Sequence, residues 1–159
     1  MKLRIVAVGH RMPQWISSGF EDYARRMPRD MPLALTELKP EPRGDKPSAG
    51  DIARIVEQEA QRIEAAIPKG NLTVVLDESG KMVSTLQLAD KITRWRDESR
   101  DVCFVIGGAD GAAARLKQSA GWLWSLSPLT LPHGLARVVL AEQLYRAVSI
   151  LGNHPYHRS

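Results

Sequence analysis

The chain carries the sequence DVCFVIGGADG at residues 101–111, a short apolar run that stops on a pair of glycines. Val102 to Ile106 are too few residues for a helix, and an unbroken apolar run of this length is typical of a strand buried on both faces. The glycine pair, Gly107-Gly108, allows a positive φ and a close approach of the backbone to a ligand. A simple tight turn is the alternative interpretation. This stretch therefore predicts a central strand with a candidate ligand site at its carboxyl end.

The same alternation of strands and helices extends over the rest of the chain. Apolar runs and alternating patterns predict strands at residues 3–8, 33–38, 72–76, 102–106 and 122–126. Apolar residues at helical spacing predict helices at 13–27, 51–67, 84–95, 112–119 and after Pro132. Ser48 or Asp51 is a predicted helix cap, and so is Ser84. The pattern predicts an α/β fold with a mostly parallel sheet flanked by helices, and 159 residues fit a single domain, residues 1–159.

Ligands of parallel sheets bind beyond the carboxyl ends of the strands. Three predicted strand ends are candidates: Leu76-Asp77, Ile106-Gly107-Gly108 and Leu126-Ser127-Pro128. The sequence DESG at 77–80 predicts a loop after the first of them. We expect the three ends to converge on one site.

The segment SPLTLP at 127–132 is difficult to explain as plain structure. Its two prolines exclude a helix and a central strand, while Leu129 and Leu131 favour burial. A buried irregular loop needs hydrogen-bond partners for its amides and carbonyls, and a planar polar ligand such as adenine could supply them. A rigid crossover loop without a ligand is the alternative.

The end of the chain, NHPYHR at 153–158, offers an amide, imidazoles, a phenol and a guanidinium within six residues. His154 and His157 have the spacing of a metal pair, but no third ligand is evident and Cys103 lies in a predicted buried strand. We therefore expect no metal. An exposed polar tail is the alternative interpretation. In the helix before it, a polar stripe suits a pocket wall or a subunit contact, although a Glu142–Arg146 helix pair explains half of it. The stripe consists of Glu142, Arg146, Ser149 and Asn153.

Composition and charge limit the class of protein. No apolar run approaches the roughly 20 residues that span a bilayer, the amino-terminal apolar stretch is too short for a secretory signal, and the single cysteine excludes an intramolecular disulfide. A cytoplasmic protein without a membrane partner is expected.

Residues 111–159 hold five Lys and Arg against one Glu, which is a weak indication of an acidic partner. Arg43 and Lys46, in a predicted mobile loop, could contact phosphates, although a solvated loop is the simpler interpretation.

Taken in order, these motifs resemble the ribosomal large-subunit RNA methyltransferase H family, a minimal member of the SPOUT class. The matching stretches are KLRIVAVG at 2–9, Met-Pro-x-Trp at 12–15, LD at 76–77, FVIGGADG at 104–111, LSPLTLPH at 126–133, AEQLYRA at 141–147 and NHPYHR at 153–158. The resemblance covers nearly the whole chain.

The resemblance implies methylation, dependent on S-adenosylmethionine, at N3 of a pseudouridine in 23S ribosomal RNA of the assembled ribosome. It also implies a SPOUT-type sheet with a C-terminal trefoil knot, an exception to the rule that chains avoid knots, and a homodimer with its site at the interface. The implied substrate-side residues are His154, Tyr156 and Arg158. The implied cofactor residues are Leu76, Gly108, Ser127, Pro128, Leu129, Thr130, Leu131 and Pro132.

The residue types suit this chemistry. N3 of the base carries a proton and is a poor nucleophile until that proton leaves, so a base near neutral pH or a cation that stabilises the anion lowers the barrier. His154 or His157 is a candidate for the first role and Arg158 for the second, and the sequence does not choose between them. We expect the tail to lie over the cofactor pocket.

Dimerisation is also expected from the apolar last helix and from Trp122 and Trp124 on a short peripheral strand, although a monomer that packs them internally is the alternative. Two other classes of function stay open at this point. One is a non-catalytic ribosome-binding or assembly factor, and the other is an α/β enzyme that acts on free nucleotides.

Overall fold

The computed structural model describes residues 1–158, over which five strands and five α-helices alternate. The strands are β1 (Leu3–Val8), β2 (Leu33–Leu38), β3 (Leu72–Lys81), β4 (Val102–Ile106) and β5 (Trp122–Trp124). The helices are α1 (Gln14–Arg26), α2 (Ala49–Ala66), α3 (Thr85–Asp97), α4 (Ala114–Ser119) and α5 (His133–Leu151). A short 3-10 helix, Pro155–Arg158, follows α5.

The five strands form one sheet in the order β2-β1-β4-β3-β5, and every neighbouring pair is parallel. The predicted α/β fold with its parallel sheet is therefore confirmed. The strand at 102–106 lies at the centre and all five of its residues are buried, as its apolar run predicts. Because the strands are parallel, their carboxyl ends lie along one edge of the sheet.

The helices cover both faces of the sheet, because side chains alternate between the faces along each strand. Leu3, Ile5 and Phe104 face one core, which α1, α3 and α5 complete. Val6 and Val105 face the other core, against α2 and α4. Helix α5 packs between α1 and α3 and supplies Leu140, Leu144 and Ala147, all fully buried.

Two helices begin with the predicted serine caps. The Ser48 hydroxyl accepts a hydrogen bond from the Asp51 backbone N–H, and the Asp51 carboxylate accepts one from the Ser48 N–H, at 3.1 and 3.0 Å. Ser84 and Gln87 form the same reciprocal pair at the start of α3. These capping boxes satisfy amides that a helix start leaves unpaired.

The third strand differs from its prediction. β3 continues through DESG at 77–80 to Lys81, whereas the sequence predicts a loop there. Trp124 pairs first with Leu76 and again with Lys81, so residues 77–80 bulge out of the ladder and return. The fifth strand is shorter than predicted and ends at Trp124, where the Ser125 hydroxyl turns to donate to the carbonyl of Ser127 at 3.0 Å. The bulge and this turn shape the edge of the sheet.

Trp122 and Trp124 are packed within the chain. Their rings stack with centroids 4.7 Å apart, and Trp124 is buried against Phe104. Trp124 is thus buried by the chain itself and Trp122 is half-buried, so the two rings do not by themselves require a partner subunit, and the homodimer stays a prediction. The trefoil knot stays a prediction. No helix of residues 1–158 is long and apolar enough to cross a membrane.

Gly80 is required where β3 returns to β5. A Cβ atom at this position would lie 2.6 Å from the backbone of Trp124. We expect Gly80→Ala to lower the free energy of unfolding by about 1–3 kcal/mol, because the edge strand must shift to admit the methyl group. Gly44→Ala is the matched control, since nothing lies within 4 Å of its added Cβ atom. Urea unfolding measures both, and equal stabilities of the two variants would contradict this account of the bulge.

Candidate active site

A cavity of about 660 Å³ lies at the carboxyl edge of the sheet. The ends of three strands line it: Leu76 and Asp77 from β3, Ile106 to Gly108 after β4, and Ser125 to Ser127 after β5. His133 and Ala136 from the first turn of α5 complete the wall. The structure thus brings together the three strand ends that the sequence singles out.

Most of the predicted cofactor residues line this cavity. Leu76, Gly108, Ser127, Leu129, Thr130 and Leu131 do so. Pro128 and Pro132 are not lining residues, and Pro132 is instead the residue that precedes the first turn of α5. The loop between these prolines is held by its own contacts, since the Ser127 hydroxyl accepts from the Leu129 N–H at 2.9 Å. The Leu129 side chain is 73% exposed at the mouth of the cavity, so the chain itself does not bury it.

The glycine pair lines the cavity, and contacts within the chain explain why both residues are glycine. Neither glycine has a positive φ; Gly111, in the same turn, has a φ of 77°. A Cβ atom on Gly107 would lie 2.7 Å from the backbone of Gly111 and Ala112, and one on Gly108 would lie 2.7 Å from the Glu59 carboxylate. Gly107 is therefore required by the chain's own tight turn, and Gly108 by the close approach of the Glu59 side chain. A side chain at position 108 would meet α2 rather than a ligand.

The bulge in β3 places a charged group on the wall. Asp77 accepts hydrogen bonds from the Ser79 backbone N–H at 3.0 Å and from the Ser79 hydroxyl, and the Lys117 ammonium lies 3.4 Å away. Burial acts to raise the pKa of Asp77, but the Ser79 hydrogen bonds and the Lys117 charge outweigh it and hold this pKa below its ordinary value. The carboxylate is ionised at neutral pH. Glu78 and Asp110 also line the cavity, so its rim carries three acids and Lys117.

A loop that precedes α2 reaches the same rim. Arg43 forms an ion pair with Asp110. The Glu41 N–H donates to the buried Glu59 carboxylate at 3.0 Å, beneath the glycine turn. The sequence predicts a phosphate contact or a solvated loop for Arg43, and the structure gives this side chain a partner within the chain.

A buried arginine fixes the start of α5. Arg137 is 2% exposed, and its guanidinium donates to the Gly9 carbonyl at 2.8 Å and to the Glu37 carboxylate at 2.7 Å. Its Nε donates to Nε2 of His133 at 2.9 Å, so that ring nitrogen is an acceptor and the ring proton belongs on Nδ1. Nδ1 lies 3.2 Å from the Gly107 carbonyl, to which it donates. These bonds tie the ends of β1, β2 and β4 to the wall of the cavity.

Neither His133 nor Arg137 is among the site residues predicted from the sequence. A detectable signal was present, because an arginine sits four residues after a histidine within an otherwise apolar helical segment. Burial, followed by the charge of Arg137, lowers the pKa of His133 below its ordinary value, and the Gly107 hydrogen bond and Glu37 only partly offset this. The neutral ring is the form that the network requires.

The tail lies elsewhere in the chain. The Tyr156 hydroxyl donates to Glu142 at 3.0 Å, and its ring lies 4.6 Å from that of Tyr145 and 4.9 Å from the guanidinium of Arg146. Arg146 in turn bonds Glu142 at 2.8 Å, so half of the predicted polar stripe is the docking surface of the chain's own tail.

The cavity and the tail are well separated along α5. Glu142 follows His133, on the cavity wall, by nine residues, or about 14 Å of helix. His154, Tyr156 and Arg158 are not among the lining residues of the cavity. The expectation that the tail lies over the pocket therefore does not hold within one chain. In the part of the chain described, no three His, Cys, Asp or Glu side chains gather so that they could hold a metal ion.

Comparisons with known proteins agree with this architecture. A family model described as a predicted SPOUT methyltransferase matches residues 1–157. Proteins named ribosomal RNA large subunit methyltransferase H, from Burkholderia mallei and Burkholderia pseudomallei, are 55% identical over 159 residues, which is the whole of each chain. A solved structure of a probable methylase family protein from Haemophilus influenzae superposes with a TM-score of 0.59 over 97% of this chain and 69% of its own. At 11% identity that likeness concerns the fold alone.

The His133 network makes a specific prediction about pH. We expect His133→Asn to be less stable than the wild type by about 1–3 kcal/mol at pH 8, because Arg137 loses an acceptor in a buried site. The difference in the free energy of unfolding between the wild type and His133→Asn should become smaller toward pH 5.5. Below the ordinary histidine pKa of about 6.5, the unfolded wild type binds a proton that the folded ring resists, so only the wild type loses this stability.

Urea unfolding at several pH values between 8 and 5.5 measures this gap. His154→Asn is the control, since His154 is exposed and lies outside the Arg137 network. A gap between wild type and His133→Asn that stays constant with pH would show that the ring is not held neutral.

Proposed function

The chain belongs to the SPOUT methyltransferase family, and we propose that it transfers a methyl group from S-adenosylmethionine to N3 of a pseudouridine in 23S ribosomal RNA of the assembled ribosome. The full-length relatives at 55% identity support the ribosomal RNA substrate. The structural observation that carries the proposal is the acid-rimmed cavity where the ends of β3, β4 and β5 meet. A single domain working in the cytoplasm, where ribosomes are found, is part of the same proposal.

The cavity fits the proposed methyl donor. Its volume of about 660 Å³ lies in the range of small-molecule sites. Leu76, Ile106 and Leu131 offer apolar walls, and the loop after β5 offers backbone groups for a planar base. Lys117 pairs with Asp77 and Arg43 with Asp110, so Glu78 is left as the surplus negative charge of the rim, which suits a ligand with a positive charge. When bound, S-adenosylmethionine supplies a methyl group on a positively charged sulfur.

Each predicted cofactor residue has a role in this proposal. Leu76, Gly108 and Ser127 to Leu131 would hold the donor, with Pro128 and Pro132 fixing the shape of the loop. Gly108 contributes its backbone, since its Cβ direction points at Glu59. The His133–Arg137 pair holds the Gly107 carbonyl and so keeps this wall in place.

The remaining chemistry concerns the proton on N3. Burial, together with hydrogen bonds involving Tyr23 and Glu142, raises the pKa of Tyr156, so its phenol stays protonated at neutral pH. Tyr156 therefore acts as an anchor for the tail and not as a base. His154 and Arg158 are exposed and His157 is half-buried. Either histidine is a candidate to accept the proton, and Arg158 is the candidate to stabilise the anion.

A homodimer would bring the tail and the cavity together. Each tail is docked on the α5 helix of its own chain, away from the cavity of that chain. Large apolar side chains are exposed in three regions, Trp15 at 61%, Leu86 at 66% and Leu129 at 73%. We therefore propose that the tail of one subunit completes the cavity of its partner.

Ribosomes from cells that lack the protein are the test substrate. We expect the purified chain to transfer tritiated methyl groups to them but not to free nucleosides, and mass spectrometry to find the methyl group on N3 of a pseudouridine in 23S RNA. Ala136→Trp should lower donor affinity and transfer by about 100-fold or more, because the indole occupies the cavity. Ala53→Trp, on the exposed face of α2, is the matched control. Donor binding without transfer would indicate a non-catalytic factor, and transfer to nucleosides an enzyme of free nucleotides.

The partner-tail proposal makes a separate prediction. Chains cut after Gly152, and Ala136→Trp chains, should each be inactive alone, although the cut chain should still bind the donor. Heterodimers of the two, isolated with two affinity tags, should regain about half of the wild-type transfer rate, since one of two symmetric sites is intact. If the tail acts within its own chain, neither subunit is complete and the heterodimer is inactive. A cut chain that is active by itself would remove the tail from catalysis.

A further inference from the structure

A second, smaller groove of about 230 Å³ lies at the amino ends of β3 and β5, at the opposite end of these strands from the cavity. Leu72 and Trp122, the first residues of β3 and β5, form one side, and the end of α3 forms the other. Because β5 has only three residues, Trp122 lines the groove while Trp124 lines the cavity. The shortest strand of the sheet is thus all that separates the two.

Several cationic side chains lie at this groove, and none of them forms an ion pair within residues 1–158. Lys91, Arg94 and Arg100 line it, and Lys81 lies close to Lys91. Within residues 1–158 none of these four side chains forms an ion pair, whereas most arginines on α1, α2 and α4 do. Glu98 is the one acid among the lining residues. Burial is the main cause that lowers the pKa of Lys91, and the nearby charges of Lys81 and Arg94 lower it further.

An aromatic ring supports the cation at the centre of the groove. The Lys91 ammonium lies 4.5 Å from the centroid of the Trp122 ring, which is itself stacked on Trp124. This cation–π contact fixes where the charge sits. Arg94 follows Lys91 by three residues, so both lie on one face of α3. The groove therefore presents one ammonium group held over a ring beside two guanidinium groups. With three cations and one acid among its lining residues, its net charge is positive.

We propose that this groove binds backbone phosphates of the ribosomal RNA, next to the nucleotide that enters the cavity. The proposal rests on the proposed function, which makes RNA the substrate. Phosphate oxygens are the acceptors that arginine forks and lysine bind. RNA is favoured over an acidic protein segment because the groove and the cavity flank the same short strand, so one RNA strand can contact both. The tail and the cavity would select the base, and the groove would supply affinity that does not depend on sequence.

The test is the salt dependence of ribosome binding. We expect Arg94→Gln/Arg100→Gln to bind ribosomes about 20-fold more weakly than the wild type at 0.1 M salt, with the slope of log K against log salt reduced by about 1.4–1.8, since two phosphate contacts are lost. Arg94→Lys/Arg100→Lys should retain most of the slope. Arg29→Gln/Arg54→Gln removes two exposed cations elsewhere and should change neither quantity by much. Donor affinity should be equal in all variants, which also shows that each is folded.

Protein-free 23S RNA separates the two kinds of partner. The same defect on this RNA supports a phosphate site. A defect confined to whole ribosomes would mean that the groove contacts a ribosomal protein, and equal slopes for the wild type and the double Gln variant would mean that it contacts neither; both results overturn the proposal. These measurements do not use methyl transfer. A chain that binds RNA through the groove but transfers no methyl group would refute the proposed function alone.

Discussion

The hydrogen bonds of the buried Arg137 guanidinium are the constraint on which the site depends. A charge that is 2% exposed is tolerated only when its donors are satisfied. Here the acceptors are the Gly9 carbonyl, Glu37 and His133, which come from the ends of β1 and β2 and from α5 itself. Because His133 in turn holds the Gly107 carbonyl, the wall of the cavity is fixed by a chain of bonds that begins at a single side chain. The direction of α5 and the position of the glycine turn are therefore not independent.

Local patterns carried enough information to predict most of the fold. The strands at 3–8, 33–38 and 102–106 have the predicted bounds, and Ser48 and Ser84 cap their helices, because burial periodicity and capping are set by neighbouring residues. The extension of β3 to Lys81 was not predictable in this way. Its turn-forming sequence is held in the sheet by a second pairing with Trp124, more than 40 residues away, and the need for Gly80 arises only from that approach.

The candidate site was predictable to the same extent as the fold: its position followed from the sequence, but the contacts of its single residues did not. Three strand ends meet at the cavity because a parallel sheet places them on one edge, and that rule needs no coordinates. The roles of single residues depend on contacts between distant segments. Gly108 faces Glu59, Leu129 is exposed, and the tail docks on Glu142. None of these contacts follows from the spacing of residues along the chain, and the resemblance to a family supplied the tail's role without its position.

The position of the tail has a consequence for the proposed dimer. Tyr156, Glu142 and Arg146 hold the tail on its own helix, so its 3-10 turn is already formed in the single chain, and less conformational entropy would be lost if it entered the cavity of a partner. In the proposed arrangement, catalysis would depend on association, because the cavity and the tail of a single chain do not meet. It would also leave the groove at the amino ends of β3 and β5 free for the proposed RNA contact. A chain of this size can then divide donor binding, proton chemistry and RNA contact among the two ends of its sheet and one end of α5, without a separate domain for each.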